Sequence, residues 1–149
     1  MKFKQKIKSH YQNLLSEKIN ELRFFFFFLA QDAQNDAKGS AGDKHETALS
    51  MMHLEQEKFN QKLAEIIGQK NGIDKIDADA IHTKVALGSL VQTNEMLFYI
   101  SAALPKITID NKTIIAVSPE SPLGSQLLGK SVGDEITINN NRFHIKTIE

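Results

Sequence analysis

The chain has 149 residues, 41% of them hydrophobic and 24% charged, a balance typical of a globular protein that forms one compact domain or two small ones. Eighteen basic residues are matched by eighteen acidic ones, so no global positive charge argues for nucleic-acid binding. The absence of cysteine excludes disulfides, thiolate catalysis and cysteine-ligated zinc, and it fits a reducing cytosol.

The N-terminus carries Lys2, Lys4, Lys6 and Lys8 with no acid among them. Two readings are open: a solubilising, frayed helix end, or a weak contact with phosphates or an acidic partner. Ile7, Tyr11, Leu15, Ile19, Leu22, Phe26, Leu29 and Ala33 then recur at steps of three and four, which predicts a helix with one apolar stripe. Within it, Phe24 to Phe28 resemble the apolar core of a signal sequence. The run Phe24–Ala30 is too short to span a bilayer, however, and it begins behind a charged amphipathic stretch. A cytoplasmic protein with no membrane partner is expected. Five consecutive phenylalanines cover every side of a helix, so they cannot all face one partner helix. Burial in a local cluster or against a second domain, self-association, and contact with another protein are the three readings.

Residues Asn35 to Gly42 predict a loop, and Ala48, Met52, Glu55, Phe59, Leu63 and Ile66 a second striped helix with one polar break at Glu55. Two stripes joined by a short loop predict an antiparallel hairpin over 1–70, with its tip at about 35–46. Arms of this length reach roughly 45 Å at ~1.5 Å per residue. Residues 71–83 read as a linker. From 84 to 149 the pattern is β-rich. Strands are expected at 84–91, 96–100, 107–109 and 114–117, with a turn at Asp110-Asn111. Ser121 caps a short helix with Pro122 at its first position, and Gly129 can end it. Ile136 and Ile138 lead into an Asn139-Asn140-Asn141 turn, and Phe143, Ile145 and Ile148 return. The expected fold class is α+β: an N-terminal helical coiled-coil hairpin, then a small antiparallel sheet with one short helix.

The segment from Ser118-Pro119-Glu120-Ser121-Pro122 through Leu127-Leu128-Gly129-Lys130-Ser131-Val132-Gly133-Asp134 resembles the C-terminal signature of the Gre family of transcript cleavage and elongation factors. Val85-Ala86-Leu87-Gly88-Ser89 is similar to that family's hydrophobic-x-hydrophobic-Gly-Ser strand. The resemblance covers about 84–149. It implies an FKBP-like domain that docks on the rim of the secondary channel of bacterial RNA polymerase, with Ser121, Pro122, Gly129, Lys130, Gly133 and Asp134 as docking candidates. Gly42-Asp43-Lys44-His45-Glu46 resembles the acidic tip of the family's coiled coil. The family continues Glu-Asn-Ala-Glu-Tyr, whereas this chain has Glu46-Thr47-Ala48-Leu49-Ser50.

The implied role is to complete another enzyme's site rather than to be an enzyme. Two-metal phosphodiester cleavage needs a second metal to activate water, and Mg²⁺ takes oxygen ligands. Asp43 and Glu46, three apart on a first helical turn, share one side. The expectation is that both assist catalysis and hold a Mg²⁺ shared with the polymerase, while Lys44 and His45 meet the nascent RNA 3′ end. No cofactor of its own and no small-molecule substrate is implied. The residues by themselves also fit a capping box, Asp43 accepting from the Glu46 N–H and Glu46 reaching back, with Lys44 and His45 solvated. Further readings are a secondary-channel regulator without cleavage activity, an FKBP-like prolyl isomerase or peptide binder, and a homo-oligomeric coiled-coil scaffold. The isomerase needs an aromatic-lined pocket, and the C-terminal part offers Phe98, Tyr99 and Phe143 for it.

Overall fold

The computed structural model describes residues 2–38, 43–94 and 96–149; for 33, 34, 36–38 and 43–45 it describes the backbone alone. By its contacts the chain divides into two units, Gln12–Asn71 and a second one built from Met1–Tyr11 with Gly72–Glu149. The fold is α+β: two N-terminal helices, then a six-stranded mixed sheet with one short helix.

The two helices are α1 (Phe3–Lys38) and α2 (Asp43–Asp74), of 36 and 32 residues. The expected loop at 35–42 does not begin at residue 35. Residues 35–38 contain neither glycine nor proline and continue α1, while Gly39–Gly42 lie outside the described residues. In the Gln12–Asn71 unit, Leu15, Ile19 and Ile66 are buried, and Leu22, Phe26, Met52, Phe59 and Leu63 are half-buried. Phe26 of α1 stacks on Phe59 of α2, ring centroids 4.4 Å apart. The 3.6-residue stripe is therefore expressed as packing on one face of each helix.

The second unit divides the chain differently from the expected 1–70 and 71–83 segments. The first residues of α1 belong with the sheet rather than with a free-standing 1–70 hairpin. The expected linker 71–83 is not a tether either: its start completes α2, and Ile73 and Ile76 are buried. The N-terminal lysines explain this packing. α2 has no basic residue in its last turn. Lys8 supplies one from α1, its ammonium donating to the carbonyl of Asp74 at 3.2 Å and of Ile76 at 2.6 Å. A cation at a helix C-terminus satisfies orphan carbonyls and opposes the negative end of the dipole. Lys4 donates to the Ala80 carbonyl at 2.9 Å, Lys6 pairs with Asp110 at 2.8 Å, and Lys2 lies 3.9 Å from Asp79. The cluster is not a frayed end, since its ammonium groups have acceptors within the chain. Lys4 is buried, and desolvation lowers its pKa from the ordinary 10.5, with Glu149 and Asp77 pulling the other way.

The sheet comprises β1 (Leu90–Thr93), β2 (Leu97–Ile100), β3 (Ile107–Ile109), β4 (Lys112–Val117), β5 (Glu135–Ile138) and β6 (Asn141–Ile148), in the order β3-β4-β2-β1-β6-β5. It is not wholly antiparallel as expected, because β2 and β4 pair in parallel. The chain leaves β2 and sets β3 down one position away. The Asp110-Asn111 turn then folds β4 into the gap between them. Asp110 (φ 51°) and Asn111 (φ 63°) are left-handed, as are Asn139 and Asn140 between β5 and β6. This conformation matches the right-handed twist of two-residue hairpins. Val91, Phe98, Ile100, Val117, Leu127 and Ile145 lie in one core. Tyr99, on the next position of β2, stacks instead on Tyr11 of α1 at 6.3 Å.

The expected strand at 84–91 begins only at Leu90. Residues 86–89 form a turn, closed by the Ser89 N–H donating to the Ala86 carbonyl at 3.0 Å, in which Gly88 adopts φ 87° and its N–H donates to the Ile100 carbonyl at 2.7 Å. A side chain on Gly88 would come within 2.8 Å of Ile76. Buried Ser89 holds the turn, its Oγ accepting from the Ala86 N–H at 2.9 Å and lying 2.8 Å from His82 Nδ1.

Candidate functional site

The first expected site is the start of α2. Asp43 is its first residue, and helical backbone runs unbroken through Glu46. Positions three apart on such a turn project to the same side. The side chains of Asp43, Lys44 and His45 lie outside the described residues, so the capping box and the carboxylate pair both rest on placement along the helix. Glu46 is exposed, Leu49 half-buried and Ser50 exposed. Among the described residues no three His, Asp or Glu side chains gather in metal-ligating positions. A Mg²⁺ shared with a larger enzyme takes only one or two carboxylates from this chain, so that observation leaves the expectation where it stood.

The second expected site runs from Ser118 to Asp134, and the fold resolves its residues into two kinds. α3 (Pro122–Leu127) begins with Ser121 as N-cap and Pro122 in the first turn, as expected. The Ser121 hydroxyl accepts from the Gly124 N–H at 3.0 Å and donates to the Ser118 carbonyl at 2.7 Å. Gly124 is required there, since a Cβ would sit 1.9 Å from the Ser118 carbonyl oxygen. Gly129 (φ 79°) turns the chain after α3, and its N–H donates to the Val85 carbonyl at 2.8 Å; Val85 returns the bond to Lys130 at 2.9 Å. The carboxylate of Asp134 accepts from the Ser131 N–H at 2.8 Å, and Gly133 (φ 94°) donates to the Ile145 carbonyl at 2.9 Å. Ser121, Gly129, Gly133 and Asp134 thus have local structural work that accounts for their residue types. Pro122, Gly129, Gly133 and Asp134 are exposed and Ser121 and Lys130 half-buried, so all six docking candidates reach the surface.

Sequence reasoning passed over their neighbours. Leu128 and Val132 are exposed apolar residues within the same motif. Leu128 and Lys130 line a shallow groove with Ser125, Gln126, Glu135 and Thr137. The missed signal was available: an unpatterned Leu and Val in a segment otherwise explained by turns. A larger groove of about 550 Å³ on the same unit is lined by Phe3, Gln92, Asn94, Lys106, Lys112 and Lys146 among others, with the Lys112 ammonium 5.2 Å from the Phe3 ring centroid. These lysines are scattered in sequence and meet only through strand pairing, so no local pattern marks them.

The aromatics considered for an isomerase pocket are core residues. Phe98 and Phe143 are buried edge-to-face at 5.6 Å, and Tyr99 is buried against Tyr11. None of the three lines either groove on this unit. Among the described residues no helix is long and apolar enough to cross a membrane. No family model matches the chain, and no curated protein matches it.

Proposed function

We propose that this chain is a Gre-type factor that binds bacterial RNA polymerase, inserts a helical tip into the secondary channel and promotes cleavage of backtracked RNA. The observation that carries the reading is the position of Asp43 and Glu46 on the first turn of a 32-residue helix that packs beside another of 36 residues. In this reading α1 and α2 form an antiparallel coiled-coil hairpin. Support comes from the order of neighbours: Lys18 and Leu22 share a groove with Lys62 and Ile66, while Leu29 and Asp32 share one with Ala48 and Met52. Partner numbers fall as α1 numbers rise. The sheet with its one short helix is read as the FKBP-like docking domain, with exposed Pro122, Gly129, Gly133 and Asp134 and half-buried Ser121 and Lys130 as its contacts.

At the tip, Asp43 is the main oxygen ligand for a Mg²⁺ held jointly with the polymerase, and Glu46 orients water or adds a second ligand. Stiff helices restrict both positions, so that docking becomes orientation. Lys44 and His45 face the RNA 3′ end. The test is RNA cleavage by stalled elongation complexes with the native chain, Asp43→Ala and Glu46→Ala. Loss of Asp43 is expected to slow cleavage by roughly tenfold or more, about 1.4 kcal/mol of barrier, with polymerase affinity unchanged.

A second reading, a secondary-channel regulator without cleavage, is favoured by Leu49 and Ser50 standing where the family has a second acid and an aromatic. Cleavage identical with and without Asp43, alongside retained polymerase binding, selects it.

A further inference from the structure

Four consecutive-run phenylalanines of α1 are exposed in the Gln12–Asn71 unit: Phe24 by 66%, Phe25 by 63%, Phe27 by 57% and Phe28 by 47%. Only Phe26 of the run has a ring stacked on α2. Single exposed apolar residues are ordinary, but contiguous exposed aromatics mark an interaction surface. Phe24, Phe25 and Phe28 lie together, lining with Lys18, Glu21 and Leu22 one side of a groove whose other side is Lys62 and Ile66. Phe24 and Phe28 already touch edge-to-face at 4.7 Å.

We propose that this face associates with the same face of a second copy of the chain, α1 against α1 in antiparallel orientation about a two-fold axis at Phe25. The charge pattern selects this occupant. Lys18, Phe25 and Asp32 are spaced by seven residues, so they fall nearly on one line along the helix, drifting only ~20° per step. A two-fold axis through the middle member places each Lys18 opposite the other copy's Asp32, about 10 Å from the axis at ~1.5 Å per residue. Both are exposed. The surface is thus complementary to itself: apolar at its centre, with opposite charges at equal distances on either side. An interface with an unrelated protein needs no such symmetry.

The area sets the size class of the contact. At about 200 Å² per phenylalanine side chain, the three rings present on the order of 350 Å² of carbon per copy. A pair then buries up to about 700 Å² of aromatic surface before the stems of Lys18, Glu21 and Asp32 are added, which places the contact among small, transient interfaces below about 1,200 Å². A weak, reversible dimer is expected, with a dissociation constant on the order of micromolar or above. The inference uses the Gln12–Asn71 unit alone and holds whether or not the chain binds polymerase.

Sedimentation of the full chain from about 1 to 100 µM, a range spanning that constant, tests it. The expected result is a monomer–dimer equilibrium that Phe25→Ser with Phe28→Ser abolishes, with the circular dichroism of the helices retained. Lys18→Glu alone and Asp32→Lys alone each weaken the dimer roughly tenfold, because like charges then face one another twice, and the two together restore it. A native chain that stays monomeric throughout, or a dimer indifferent to the phenylalanine changes, overturns the proposal. So does a charge exchange that fails to recover the affinity lost in the single variants.

Discussion

At the scale of single residues, the two tyrosines of the chain separate packing from hydrogen bonding. Their rings lie nearly parallel, 3° between planes, and both are buried. The Tyr11 hydroxyl donates to the Pro105 carbonyl at 2.8 Å, whereas the Tyr99 hydroxyl finds no hydrogen-bonding partner among the described residues. Removing a made bond strands its partner, and removing an unmade one relieves a desolvated group. Tyr11→Phe is therefore expected to lose about 1 kcal/mol in urea unfolding, and Tyr99→Phe to be neutral or stabilising. Burial pushes both phenols from 10 up to about 12, Tyr11 also through its neighbour Tyr99. A pKa raised on folding means that the unfolded chain releases the proton first. The stability is complete below pH 10 and is lost as pH climbs from 10 towards 12, at up to about 1.4 kcal/mol per pH unit for each tyrosine. Lys4, with its pKa lowered, has the opposite sign: its burial penalty is relieved as pH rises towards 10.5. Absorbance at 295 nm should show almost no tyrosinate at pH 10.5 in the native protein, and about three quarters of the tyrosine ionised there after unfolding in urea.

At the scale of elements, local rules carried the hairpins and the caps and failed where distant segments meet. Asp110-Asn111 and Asn139-Asn140 were legible because only a few residue types accept a left-handed backbone. Ser121-Pro122 was legible because a hydroxyl and a fixed φ are what a first turn needs. The parallel pairing of β2 with β4 was not, since register between non-adjacent strands is a property of the assembled sheet. Val85–Ser89 misled because burial and β-propensity are shared by strands and tight buried turns; Gly88 was the only local sign of the turn. The N-terminal lysines misled for a related reason, as their acceptors are backbone carbonyls more than sixty positions away. At the candidate tip, the sequence placed Asp43 and Glu46 on one helical turn, and the helix agrees, but the chemistry they serve depends on a partner that no pattern in this chain records. Two consequences follow for the elements themselves. Gly124→Ala should disrupt the α3 corner by several kcal/mol, because the new methyl meets a backbone oxygen that cannot move away. Lys8→Met should cost about 1 kcal/mol by uncovering the end of α2, seen as a lower urea midpoint with an unchanged slope.

At the scale of the whole molecule, the unit boundaries run across the order of the chain. Residues 1–11 and 72–149 form one body although sixty residues separate them. Ile7 and Tyr11 are fully buried in it, and Lys4 and Lys8 hydrogen-bond to the 74–80 segment. Burying a large apolar side chain is worth about 1.5–3 kcal/mol, so these two residues alone supply about 3–6 kcal/mol. A small domain has only about 5–15 kcal/mol in total. A fragment of residues 72–149 therefore lacks a large share of its stability and exposes the ring of Tyr99, although it contains all six strands. By contrast, a chain that keeps 1–11 and 72–149 and replaces 12–71 with a flexible Gly/Ser linker of about fifteen residues retains every contact of this unit; closing a longer loop costs little, about 0.6 kcal/mol per doubling of length. The expected outcome is a cooperative thermal transition for the linked chain and none, or one at much lower temperature, for the bare fragment. Equal melting of the two would mean that the first helical turns merely lie on the sheet, and that α1 belongs wholly with α2.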